Sequence, residues 1–424
     1  MTFMKPLRGA LQALAIATAT LALGLTGAAA QDKAPVKVGV SLALTGVVAS
    51  NGKQMLAALE LWRDDVNAKG GMLGRPVELV YYDDQSTPST VPGIYTKLIS
   101  VDRVDLLLGP YATNMVAPAM PIIMQHNKMT VSLLAIGINR HFNYPKYFSM
   151  VSVGPDGVNA FSKGFFEIAM TQKPRPMTVA IIAADAEFAR SASDGAREEA
   201  KKRGFKIVYD QSYPPPTQDF TPMVRAIQAT NADVVYVAAY PPDSVGIIRA
   251  ANEIGLQPKL FGGAMIGMMV TPIKVQLGPI ANGLVVAETF VPAPTFKFEG
   301  LDHLMTRYQA KAKGAGVDPL GYGFVPFGYG AGQVLEQAVS ATKSLDHDKL
   351  AEYMRKATFK TVAGEFKFGP DGEWTQARQV FTQYRNVSPN NLDQFRSTEN
   401  NPILWPPEFK TGDLIYPYAD ARKK

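Results

Sequence analysis

The sequence predicts an α/β fold: two lobes, each a parallel sheet wrapped by helices, joined by three crossing segments. Three observations carry this expectation. Short apolar runs alternate with stretches of helical periodicity, as in repeated β-α-β units. The alternation pauses after Leu133 and restarts at Thr178. Pro- and Gly-rich stretches at Ser152–Pro155, Phe290–Pro294 and Gly364–Gly372 then stand where a chain would pass between lobes.

Val36–Leu44 reads as the first strand, stopping at Thr45-Gly46. Gln54–Ala68 carries Met55, Leu59, Trp62 and Val66 at helical spacing until Gly70-Gly71 ends it. Val77–Tyr82 is a strand closing on Asp83-Asp84, Ile94–Val101 ends a helix, and Leu106–Leu108 and Met129–Leu133 are strands three and four. The second half repeats the plan. Strands are expected at Thr178–Ala183, Lys206–Asp210, Asp233–Ala238, Leu260-Phe261 and Leu284–Ala287, with helices at Ser191–Lys202, Phe220–Ala229 and Asp243–Ile254. Helices at Leu301–Lys313, Phe327–Lys343 and Leu350–Ala357 follow. The implied division puts residues 34–152 and 289–363 in the first lobe and residues 153–288 and 364–385 in the second. Residues 386–424, rich in Pro, Asn and aromatics, form an irregular C-terminal strap.

The stretch Leu106–Asn114 is the reference point for function. An apolar strand breaks at Gly109-Pro110, and Thr113 or Asn114 is placed to cap the helix that begins with Met115. In an open parallel sheet, small molecules bind beyond the strand C-termini, where helix N-termini offer unpaired N–H groups. A Thr113 hydroxyl there either holds a ligand carboxylate or only caps its own helix.

Lys5 and Arg8, the uncharged run Ala10–Leu25 and then Ala28–Ala30 describe a secretory signal peptide over residues 1–30, cleaved near Ala30. A retained anchor is the alternative, disfavoured by the Thr and Ala dilution of the run. Cleavage removes two bases and no acid, so the formal charge falls from +6 to +4. The 424 residues contain no cysteine. That excludes disulfides, thiolate metal sites, a Cys nucleophile and a lipid-bearing N-terminal Cys. Dense basic runs occur only at Lys201–Arg203 and Arg422–Lys424, a helix end and a tail, so no nucleic-acid partner is expected.

Catalysis finds no constellation. Gly46 to Gly52-Lys53 sits between strand and helix like a phosphate loop, but it has one spacer too many and Gln54 where a Mg²⁺-binding hydroxyl is needed. No G-x-G-x-x-G follows the first strand and no G-x-S-x-G elbow occurs. His126, His141, His303 and His347 lack metal-binding spacing. Asp83 and Asp84, adjacent on a strand, point to opposite faces.

Leu44–Gly46, Asn67–Gly71 with Gly74, Tyr82–Asp84, Gly109-Pro110, Asp233–Val237 with Tyr240, and Gly364–Gly372 together resemble the leucine/isoleucine/valine-binding-protein family. These are the type I periplasmic binding proteins that feed ABC importers, and the likeness covers nearly the whole mature chain. It implies two Rossmann-like lobes of the Venus-flytrap kind, a small-molecule ligand and no enzymatic activity. It further implies a periplasmic, monomeric protein without cofactor or metal, delivering its ligand to an ABC permease of the inner membrane.

The resemblance also implies site residues. In relatives that bind amino acids, a hydroxyl after strand three meets the ligand carboxylate, and Thr113 falls there, close to Tyr111. A backbone amide and a Thr after strand four contribute as well; Ala135 and Ile136 hold those positions, so the Thr is missing. Phe188 and Tyr240 match the flanking aromatics, and Asn51 completes the set. The acid that would pair with an ammonium is replaced by Ala264. An enclosed ammonium without a carboxylate partner costs on the order of several kcal/mol. The expected ligand is therefore a small carboxylate without an α-amino group, aromatic or otherwise apolar, walled by Phe188, Tyr240, Tyr111 and Ile136. Met265 and Met268 either adapt that wall or pack the core. Arg140 either pairs with the carboxylate or is solvated. Branched-chain amino acids are the alternative ligands, and a sensory receptor subunit or an enzyme on the same scaffold are the competing roles.

Overall fold

The computed structural model describes residues 1–2, 34–215 and 217–423. The expected signal peptide, apart from its first two residues, lies outside the described residues.

The first half builds β1 (Val36–Leu42), α1 (Ala49–Ala68), β2 (Val77–Asp83), α2 (Val91–Ser100), β3 (Leu106–Tyr111), α3 (Thr113–Gln125) and β4 (Thr130–Leu133). A short α4 (Asn139–Phe142) and β5 (Tyr147–Ser149) complete it. The five strands form one parallel sheet in the order β2-β1-β3-β4-β5. Every side chain of β3 and β4 is buried, as in a sheet covered on both faces, whereas edge strand β2 is mostly half-exposed.

The second half builds α5 (Lys163–Met170), β6 (Thr178–Ala184), α6 (Glu187–Lys202), β7 (Lys206–Tyr213), α7 (Thr221–Ala229), β8 (Val234–Ala239), α8 (Pro241–Ile254), β9 (Leu260–Met265), α9 (Thr271–Leu277) and β10 (Val285–Glu288). Then come α10 (Leu301–Ala312), α11 (Val325–Thr342), α12 (His347–Lys356), β11 (Thr358–Thr361), β12 (Gly364–Lys367), β13 (Val380–Gln383), β14 (Ile403–Trp405) and α13 (Tyr418–Ala421). The second sheet runs β14-β13-β10-β9-β8-β6-β7. It is parallel from β10 to β7 and antiparallel where β13 and β14 join its edge.

Helices α10 and α11 return to the first sheet. A Cβ on Gly332 of α11 would lie 2.1 Å from the buried Trp62 ring of α1, so glycine sets this close approach. Ion pairs Arg307–Asp65 and Lys311–Glu60, both 2.5 Å, tie α10 to α1.

Two organisational expectations need correction. The run Gly364–Gly372, read as the third crossing, is a hairpin strand and turn that stays with the first sheet. β12 pairs with β11, Phe368 packs against Phe148 of β5, and Ser149 N donates to Gly372 O. The alternating aromatics Phe366 and Phe368 carry a buried face that must go to the nearest core, here shared with Phe359. The chain leaves for β13 after Trp374, where Val153 and Ala377 bridge two crossings side by side. The strap is also more regular than expected. Ile403–Trp405 adds a strand beside β13, and Tyr418 meets Phe261 edge-on at 5.6 Å. An apolar triplet between prolines carries no readable periodicity; the open edge of β13 recruits it.

Candidate ligand-binding cleft

The C-terminal ends of β3 and β4 face those of β6, β8 and β9 across a small enclosed cavity of about 30 Å³. The first half contributes Val48, Tyr111, Ala112, Thr113, Leu134 and Ile136. The second contributes Phe161, Phe188, Tyr240, Ile266 and Met269. Val151 and Thr289 enter from crossing segments, and Phe324 from the turn before α11. Among the described residues, no lining side chain is charged.

Most polar features gather on the first half, although the buried Tyr240 hydroxyl of the second half has no hydrogen-bond partner among the described residues. Ala112, not Thr113 or Asn114, is the N-cap of α3, at φ 78° and ψ 147°. The expected side-chain cap does not form, because Thr113 is already inside the helix and its Oγ1 accepts from Ile136 N at 3.1 Å. That acceptance leaves the Thr113 hydroxyl proton free to donate. Met115 N and Val116 N both bond to Ala112 O, so the N–H groups of Thr113 and Asn114 lack intrahelical acceptors. One hydroxyl and two N–H groups thus lie at the positive end of a 13-residue helix, an arrangement whose chemistry suits an anion. The Ala112 conformation that aims them is nearly exclusive to glycine and stores strain.

The second half supplies aromatic surface. Phe188 meets Phe161 at 5.1 Å and Tyr240 at 6.1 Å, both edge-on. Tyr111 leans edge-on against Phe324 at 5.7 Å, and its Oη accepts from Asn51 Nδ2 at 2.7 Å. Burial pushes the phenols of Tyr111 and Tyr240 far above their ordinary value, so both stay protonated.

Of the residues singled out from sequence, Tyr111, Thr113, Ile136, Phe188 and Tyr240 meet around this cavity. Asn51 stands behind it, oriented toward Tyr111. Ala135 is fully buried and turned away; only its carbonyl is engaged, by Ser149 Oγ at 2.9 Å. Ala264 is buried inside β9, and the wall there is made by Ile266 and Met269. Met265 and Met268 belong to the core. Arg140 is exposed on α4 and is not part of the lining, because α4 turns away from the cleft after Gly137. Thr289 and Phe324 carry no local signal: one reaches the cavity from a crossing and the other from the turn before α11, placements that only the tertiary fold defines.

Residues 35–386 match the family model described as periplasmic binding protein. The chain belongs to that family. This periplasmic binding protein is 25% identical over 366 residues to Leu/Ile/Val-binding protein homolog 2 of Brucella abortus, covering 86% of this chain and 94% of the relative. Its fold matches a leucine binding protein from Thermotoga maritima (TM-score 0.72, 19% identity, 84% of this chain and 99% of that one). It likewise matches an ABC-transporter solute binding protein from Rhodopseudomonas palustris in complex with 3,4-dihydroxybenzoic acid (TM-score 0.71, 18% identity, 90% and 98%). The family consists of solute-binding proteins of ABC transporters of the branched-chain-amino-acid type, not of enzymes.

Proposed function

We propose that this protein captures a small apolar or aromatic carboxylate in the periplasm and delivers it to an ABC permease in the inner membrane. The observation that carries the reading is the cavity wall: an anion site at the start of α3, aromatic and aliphatic surface elsewhere, and no acidic side chain to receive an ammonium. Burying an unpaired ammonium beside Phe188, Phe161 and Ile266 is costly, whereas a benzoate-like acid leaves no charge unmatched. The Rhodopseudomonas neighbour with its dihydroxybenzoic acid supports the same choice.

A cavity of about 30 Å³ is far smaller than the roughly 150 Å³ that takes up benzene in a protein core. Entry therefore needs the two halves to part about their three crossings, and closure follows from the ligand touching both halves only when they are shut. The names of the Brucella and Thermotoga relatives favour a second reading, a hydrophobic amino acid. Its carboxylate would use the same helix start, but its ammonium would find no counter-anion.

Thermal-shift measurements on the mature protein decide between them. Benzoate and its hydroxylated derivatives are expected to raise the unfolding midpoint, and leucine, isoleucine and valine to leave it unchanged. Stabilisation by the amino acids alone would overturn the aromatic-acid reading.

A further inference from the structure

Glu373 is buried at 4% exposure, and neither carboxyl oxygen has a hydrogen-bond partner of good geometry. It sits where the turn after β12 leads toward the third crossing, facing the Ser149 hydroxyl and the Gly137 N–H. Those two groups frame the loop that carries Leu134 and Ile136 into the cleft. Ser149 Oγ holds Ala135 O, Thr113 Oγ1 holds Ile136 N, and Glu373 faces the next amide along. The surrounding segment is clamped to the same loop. Asn139 Nδ2 donates to Asp371 O at 2.8 Å, and Gly372, at φ 81°, leaves no room for a side chain against Tyr147 O.

We propose that Glu373 is a positioning residue for the ligand loop, carrying movement of the third crossing onto Ala135–Gly137. The inference rests on the cleft being the ligand site, but on no particular ligand. Burial without an ion-pair partner among the described residues favours a carboxylic acid over a carboxylate at this position. Ser149 Oγ spends its proton on Ala135 O and accepts a long bond from Val151 N at 3.5 Å, which leaves one lone pair for a further donor, while the Gly137 N–H faces the carboxyl as a donor itself. A neutral carboxyl supplies one of each; an ionised one cannot donate. Burial first, then the neighbouring Asp371, push Glu373 well above the usual carboxylate range. The other groups facing this region are Tyr147, itself kept protonated by burial, and Arg355, which donates to Gly369 O and Pro370 O.

The sign of the pH dependence follows. Glu373 holds its proton in the folded protein after the unfolded chain has lost its own. Its stabilising contribution is complete below the unfolded carboxyl range and declines as pH rises toward the folded value. Glu373→Gln keeps a donor and an acceptor, and removes the titration.

The test compares wild type, Glu373→Gln and Glu373→Ala by hydrogen exchange at the Gly137 amide without ligand, by thermal midpoint between pH 5 and 9, and by benzoate calorimetry. Glu373→Ala is expected to speed Gly137 exchange and weaken benzoate binding, each at least about tenfold. Glu373→Gln should hold both within about threefold of wild type, and its midpoint should gain on wild type steadily as pH rises. Wild-type exchange in Glu373→Ala, or midpoints of wild type and Glu373→Gln that run parallel across pH, would overturn the proposal. Should benzoate fail to bind wild type, only the aromatic-acid reading falls, because exchange and midpoint are read without ligand.

Discussion

The two walls of the cleft differ in kind. The first half presents hydrogen-bonding groups fixed by backbone: the Thr113 hydroxyl, the opening N–H groups of α3, and the Asn51–Tyr111 pair. The second half presents rings and aliphatic chains, Phe161, Phe188, Tyr240, Ile266 and Met269, around which a ligand can be varied. The proposed function gives this contrast a meaning, a division of labour between the walls. In that reading, hydrogen bonds to the first half choose the end group and orient it. In the same reading, apolar burial against the second half supplies non-directional free energy that favours the shut form. The two contributions are separable by substitution.

The largest effect is expected from the aromatic wall. Phe188→Ala removes a buried ring and two edge-on contacts, so affinity for a benzoate-like acid should fall by about 3 kcal/mol, roughly a hundredfold. Calorimetry with benzoate and benzamide checks the division: both ligands should lose affinity alike. A selective loss of the acid would show that Phe188 helps choose the end group.

Thr113→Val tests the opposite wall. It removes a donor to a charged group, expected to cost about 2 kcal/mol in benzoate affinity, or roughly thirtyfold. Benzamide binding should change much less, so the preference for the acid should collapse. The protein itself loses the acceptor for Ile136 N–H, and its unfolding midpoint should drop by a few degrees.

The same contrast explains what could be read from sequence. β3 and β8 are continuous buried strands whose apolar runs announce them, and a helix is expected after each; β9 reads as a strand only at Leu260-Phe261, and the short α9 beyond it is not expected. Thr113 was legible because it stands just beyond such a strand, whereas Phe188 and Tyr240 were placed only by the family resemblance. Ala112 was not, since nothing local marks an alanine for a backbone region reserved for glycine; the packing of α3 against the sheet imposes it. β5 and β14, three residues each, form because a neighbouring strand offers an unpaired edge, a cause that lies outside the segment itself.

Ala112→Gly measures the strain under the anion site. Glycine adopts φ 78° and ψ 147° freely, which relieves about 1–3 kcal/mol, while its more disordered unfolded chain returns about 0.5–1 kcal/mol. A net stabilisation of about 1 kcal/mol in denaturant unfolding is expected. Affinity should decline slightly, because the Ala112 methyl lines the cavity and holds the helix start in register. A destabilised glycine variant would mean that the alanine methyl is worth more in packing than its backbone costs.

The smallest effect is the sharpest on mechanism. If the first wall recognises an anion through neutral donors alone, Arg140→Gln should leave benzoate affinity and unfolding within about 0.5 kcal/mol of wild type, as for an exposed side chain away from any buried feature. The affinity of the wild type should likewise change little between low and physiological salt. Interactions of the ligand with the buried N–H groups of α3 are poorly screened, whereas attraction to an exposed guanidinium would weaken within a Debye length of about 8–10 Å. A tenfold loss in Arg140→Gln, accompanied by salt-dependent binding, would move the charge partner onto α4. The anion site would then be a cation assisted by a helix, and the absence of a charged side chain from the wall would cease to define the ligand.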